Sequence, residues 1–68
     1  MPRLVTLRQV AEVLGVSGRK VRNDIASGLF GPAVVRLGRA VRIREAELTA
    51  WVEAGCPNRD TWKGRFAG

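Results

Sequence analysis

"TLRQVAEVLGVSGRKVRNDIASGL", Thr6 to Leu29, decides how this chain folds. Leu7, Val10, Ala11 and Leu14 fall at i, i+3, i+4 and i+7 and line one face of a helix, with Thr6 placed to cap it. Gly15 can enter the left-handed conformation that closes a helix, and Val16 can fold back onto it. Ser17 is a cap for a second helix, so only Gly15, Val16 and Ser17 separate the two. Two helices joined by so short a glycine turn make a helix-turn-helix.

On the second helix, at about 100° per residue, Val21, Ile25 and Gly28 share one face, which must be the buried one. Arg19, Asn23 and Ala26 lie opposite, with Lys20 and Arg22 on the flanks. The outward face therefore offers a guanidinium, a carboxamide and a methyl group between cations. Arginine grips guanine O6 and N7, asparagine grips adenine N6 and N7, and alanine allows close approach to a thymine methyl. The flanking cations suit phosphates. The alternative is a solvated face, but such a helix scatters acidic partners among its cations, and only Asp24 is available, one turn from Lys20. The reading expected is a recognition helix with Ser17, Gly18, Arg19, Lys20, Arg22 and Asn23 at the DNA.

Phe30, Gly31 and Pro32 form a bend that no helix crosses. "AVVRLGRAVRI", Ala33 to Ile43, then reads as a hairpin around Gly38. A three-residue loop of Gly38, Arg39 and Ala40 sets Leu37 opposite Val41, Arg36 opposite Arg42 and Val35 opposite Ile43, leaving one side wholly aliphatic. A two-residue loop of Gly38 and Arg39 mixes arginine with valine on each face, so the longer loop is preferred, although glycine more often comes last in such loops. Like charges directly opposite destabilise an isolated sheet, and a phosphate backbone between them relieves the repulsion. Arg36, Arg39, Arg42 and Arg44 are thus expected to form a DNA-contacting wing, the alternative being an edge hairpin that uses charge against aggregation. A third helix follows, with Leu48, Trp51 and Val52 as its apolar stripe and Glu45 and Glu47 in its first turn, where the helix dipole favours anions. Trp51 belongs to the core in that stripe. Gly55 ends this helix and Pro57 prevents its extension.

Residues 19–44 hold seven of the twelve basic residues and one of the six acidic ones, so the +6 net charge sits in that window and the rest balances. Such concentration points to a polyanionic partner. No apolar run approaches the roughly 20 residues that span a bilayer, and no stretch joins a basic face to a broad apolar one as a membrane-surface helix does. A single cysteine and no histidine argue against a metal site, and the lack of histidine, tyrosine and a carboxylate pair argues against an enzyme; no cofactor is expected. The expected location is cytoplasmic, associated with the nucleoid. RNA is disfavoured, since no surface row of aromatics offers bases a stacking platform.

The order helix, turn, helix, basic hairpin, helix resembles the winged helix-turn-helix proteins related to MerR regulators and phage excisionases. The likeness runs through Thr6, Ala11, Leu14, Gly15, Val16, Ser17, Val21, Arg22, Gly28 and Leu29, and continues in "PAVVRLGRAVRI" and "EAELTAWV". The resemblance implies that Ser17 to Asn23 enter the major groove and that the arginine-bearing wing reaches the adjacent backbone or minor groove. It departs at Gly18, a poor helix former, at Ala40, where the wing often has a basic or aromatic residue, and after Gly55, where the tail has no counterpart. The expected fold is a small α+β winged helix-turn-helix: two helices, a two-stranded wing and a third helix over residues 1–55, then a tail over 56–68 packed back through Trp62 beside the third helix. The tail's other aromatic is Phe66. The expected function is sequence-specific binding of double-stranded DNA, as an excisionase (a recombination directionality factor of a prophage) or a small transcriptional regulator. The partners would be DNA, a second copy binding cooperatively at an adjacent site, or an integrase-type protein. The alternative is a recruitment subunit of a phage recombination or DNA-packaging complex.

Overall fold

Thr6 and Gln9 close the start of the first helix reciprocally. The Gln9 backbone N–H donates to Thr6 Oγ1 at 3.0 Å, and the Thr6 N–H donates to Gln9 Oε1 at 2.8 Å. This capping box satisfies two donors that the helix cannot, and it begins α1, Leu7–Leu14. The computed structural model describes residues 3–63. In chain order the elements are β1 (Leu4–Thr6), α1, α2 (Gly18–Ser27), β2 (Val34–Leu37), β3 (Ala40–Arg44), α3 (Glu45–Glu53) and α4 (Arg59–Trp62). Phe66, the second aromatic of the tail, lies outside the described residues.

The strands form one antiparallel sheet in the order β1-β3-β2. Expectation had two strands; β1, only three residues long, pairs Val5 with Ile43 and so brings the chain start beside the hairpin. The fold remains the small α+β winged helix-turn-helix. Val5, Val10, Ala11, Val21, Phe30, Ile43, Leu48, Trp51 and Trp62 make one core.

The hairpin register corrects the expected one. The loop is Gly38 and Arg39 alone, and the pairs are Val34 with Ile43, Val35 with Arg42, Arg36 with Val41 and Leu37 with Ala40. Gly38 takes φ +62° at the first loop position, where hairpins of the II′ type require glycine. The longer loop was favoured because it gave one aliphatic side throughout. Only the base of the hairpin meets the core, however, and there the Val34–Ile43 pair is apolar, with Ile43 fully buried. Towards the tip Arg36 and Leu37 are exposed, so no uniform face is needed. Arg36 and Arg42 now each face a valine, and the expected Arg36–Arg42 juxtaposition does not occur.

In α3, Leu48 and Trp51 are buried as the stripe requires, while Val52 stays 38% exposed and Glu47 is inside. The reason is the tail. Trp62 is 5% exposed, and its indole N–H donates to Glu47 Oε2 at 3.0 Å. Trp51 meets Phe30 edge-on with ring centroids 4.9 Å apart, and its own indole N–H donates to the Pro57 carbonyl at 2.7 Å. Gly31 lies between the Trp51 indole and the Trp62 Cβ. A Cβ built there comes within 2.6 Å of Trp51 Nε1 and 2.9 Å of Trp62 Cβ. Gly31→Ala is expected to cost about 1–3 kcal/mol by overpacking, read as a lowered Tm in thermal unfolding.

Candidate nucleic-acid interface

The turn between α1 and α2 is set by Gly15 at φ +69°, with the Gly15 N–H on Glu12 O and the Val16 N–H on Ala11 O at 3.0 Å. Val16 packs against the core from there. Ser17 then caps α2, its Oγ accepting from the Lys20 N–H at 3.1 Å. Val21 is fully inside and Ile25 half-buried, so α2 turns Gly18, Arg19, Arg22, Asn23 and Ala26 outwards, all exposed. Arg19, Arg22 and Asn23 are projected by a rigid helix with no acidic neighbour on that face. Lys20 differs: its ammonium is held by both oxygens of Asp24, at 3.1 and 3.2 Å. Such a pair one turn apart contributes only about 0.2–0.5 kcal/mol, but it offsets the lysine charge locally.

Gly18 has an ordinary helical environment. A Cβ there would meet nothing within 4 Å and the residue needs no left-handed backbone, so nothing inside the protein demands glycine.

The four expected wing arginines do not form one row. Arg39 at the loop and Arg42 in β3 come together with Arg22 of α2 around a groove of about 320 Å³ between the wing and the start of α1. Among the described residues no carboxylate lines it. Arg42 is half-buried, its Nη1 donating to the Val41 carbonyl at 2.9 Å, which holds the guanidinium's direction. Arg36 and Arg44, both exposed, border a different concavity of about 890 Å³, shared with Arg59 and Lys63 and with Glu47 and Asp60. The charged residues lining the first groove are all cations, whereas the second mixes both signs.

One cation at the first groove was not anticipated. Arg8, in the first turn of α1, lines it opposite Arg22 and Arg39. Its ion pair with Glu12 is long, 3.9 Å, and both side chains are highly exposed, so little of its charge is committed. Charge counting placed Arg8 in the balanced remainder. Only the pairing of Thr6 with Arg42 carries it to the wing, and nothing local announces that pairing. Among the described residues no cluster of histidine, cysteine, aspartate and glutamate could hold a metal ion, and no helix is long and apolar enough to cross a membrane.

Comparison with known families matches residues 4–56 to a helix-turn-helix domain. The chain belongs to that family of DNA-binding domains. No curated protein and no solved structure matches it.

The cap at Ser17 gives the first test of how the interface is built. Ser17→Ala is expected to lower stability by about 1 kcal/mol, and Ser17→Gly by only a few tenths, in denaturant unfolding of the free protein.

Proposed function

We propose that this protein reads double-stranded DNA by sequence, with α2 in the major groove and the wing on the neighbouring backbone or minor groove. One observation carries the reading: Arg22, Arg39, Arg42 and Arg8 converge on a groove that no carboxylate of the described residues lines, beside the exposed Arg19, Asn23 and Ala26. Arg19 and Asn23 have the bidentate geometry that base edges accept, and the groove cations suit the phosphates on either side. Ser17 can donate its hydroxyl hydrogen to a phosphate while its oxygen caps the helix. Lys20, tied to Asp24, serves at the flank, and Arg36 and Arg44 extend the wing's reach along the backbone.

Gly18 fits the same reading. A glycine in a helix is less favourable than alanine by up to about 1 kcal/mol, and here it relieves no internal clash. What it leaves bare is the first turn of the helix at the point that would meet the duplex.

Within this reading the chain acts as an excisionase or a small transcriptional regulator, both of which need a compact reader that marks one site for other proteins. The run from Thr6 to Leu29 and the arginine hairpin behind it support this placement near MerR regulators and excisionases. Cooperative binding beside a second copy, or contact with an integrase-type protein, is part of the proposal, as is the division into a DNA-binding unit over 1–55 and a tail over 56–68. Trp62 does not serve as an exposed anchor for a recruited partner, because it is buried on Glu47.

Three measurements test the reading. The slope of log K against log salt for duplex binding is expected near −4 to −5, from about five released counterions. A slope near zero removes the proposal. Arg39→Ala should weaken all duplexes alike, while Arg19→Ala should lose discrimination worth about 1–3 kcal/mol at one base position; uniform losses from both would unseat α2 as the reader. Gly18→Ala should raise the Tm and yet weaken duplex binding, and retained affinity would mean that the glycine does not serve DNA approach.

A further inference from the structure

The end of α2 leaves carbonyls that its own chain does not serve. The N–H groups of Gly28, Leu29 and Phe30 all turn to Asp24 O, with Leu29 at 2.9 Å and Phe30 at 3.1 Å. In a continuing helix the Leu29 N–H would have gone to Ile25 O. Ile25 O and Gly28 O therefore need donors from elsewhere. Both come from one residue thirty-four positions after Ile25: Arg59 Nη2 donates to Ile25 O at 2.8 Å, and the Arg59 backbone N–H donates to Gly28 O at 2.9 Å. A guanidinium at a helix C-terminus also complements the helix dipole.

Arg59 is itself held firmly. It begins α4, which Asn58 caps through Oδ1 to the Thr61 N–H at 2.9 Å. Trp62, at the other end of α4, is in the core on Glu47. The segment entering α4 is fixed by the Trp51 indole on the Pro57 carbonyl. Elsewhere α2 rests chiefly on α1. The helix that carries Arg19, Arg22 and Asn23 is thus supported along one flank by α1 and at its C-terminal end by Arg59. The family match stops at residue 56, three positions short of it.

We propose that Arg59 is a positioning residue for DNA reading, which sets the direction of α2 relative to the wing so that base-reading and phosphate-gripping side chains reach the duplex together. The proposal rests on the DNA-reading role of α2. Bidentate contacts to bases tolerate misplacement of only about 0.5 Å or 10–20°, whereas phosphate contacts through long cations are forgiving. Freeing the end of α2 should accordingly harm discrimination more than overall attraction.

The test compares wild type, Arg59→Ala and Arg59→Lys, the last retaining a charged donor. A duplex is selected from a random library with the wild-type protein, and affinity for it and for a scrambled duplex is measured across salt. Amide hydrogen exchange of Leu29 and Phe30 is followed without DNA. For Arg59→Ala the expected result is about a tenfold loss in the affinity ratio of the two duplexes, equivalent to 1.4 kcal/mol, with scrambled-duplex affinity and salt slope unchanged. Exchange at Leu29 and Phe30 should quicken relative to α1 and the sheet, and Arg59→Lys should restore most of both effects. A uniform affinity loss with the slope shallower by about one would make Arg59 a phosphate contact instead. Quickened exchange with the ratio intact would leave only a structural brace, and unchanged exchange would remove the brace itself. Failure of the wild type to select any duplex would remove the DNA-reading role, an outcome distinct from the others because the exchange measurement needs no DNA.

Discussion

The Glu47 carboxylate sits 6% exposed inside a domain of sixty-eight residues, and the Trp62 indole N–H is the partner it is given there. A buried carboxylate without a hydrogen bond costs several kcal/mol, a large share of the stability a domain of this size has. The tail is therefore not an appendage on a finished fold. It closes the side of α3 that would otherwise expose Glu47, and the Trp62 Cβ and the Trp51 indole leave room only for a glycine at Gly31. From that one contact the connections spread outward. Trp62 holds α4 and α4 carries Arg59 to the end of α2, while on the far side of α3 the Glu45 N–H donates to the Arg3 carbonyl at 2.8 Å, joining the chain start.

The charges follow from this scaffold. Seven cations between residues 19 and 44 repel one another in any compact arrangement, and the fold divides the four of the wing between two concavities. The two-residue loop at Gly38 sets Arg36 and Arg42 each opposite a valine. The sheet then sends Arg39 and Arg42 towards α2 and leaves Arg36 and Arg44 bordering the tail, where Glu47 and Asp60 moderate the field. What remains is the groove between α1, α2 and the wing, whose charged lining residues are all arginines. The nearest carboxylate, Glu12, meets only Arg8 and at 3.9 Å, and Asp24, the one acidic residue in the basic window, is spent on Lys20.

Glycine is used in opposite senses at two places. Gly31 is demanded by the interior, since both tryptophans occupy the volume a side chain would need. Gly18 is demanded by nothing inside, and so its bareness belongs to the outer surface of α2. The same residue type thus marks close packing in one case and open access in the other, and composition alone does not separate them.

The helix-turn-helix was legible from Thr6 to Leu29, because a capping threonine, an apolar stripe, Gly15, Ser17 and Gly28 are local signals that act within one or two turns of chain. The outward set of Arg19, Arg22, Asn23 and Ala26 was legible for the same reason: helical period fixes which residues share a face. Four features were settled only in three dimensions. The hairpin register depended on which end of the wing meets the core, and the strand over Leu4–Thr6 depended on a partner some forty residues away. Arg8 joined the groove through that strand, and Glu47 went inside because Trp62 came to meet it. Each rests on contacts between distant segments, and a local pattern carries no record of which distant donor, strand or indole will arrive.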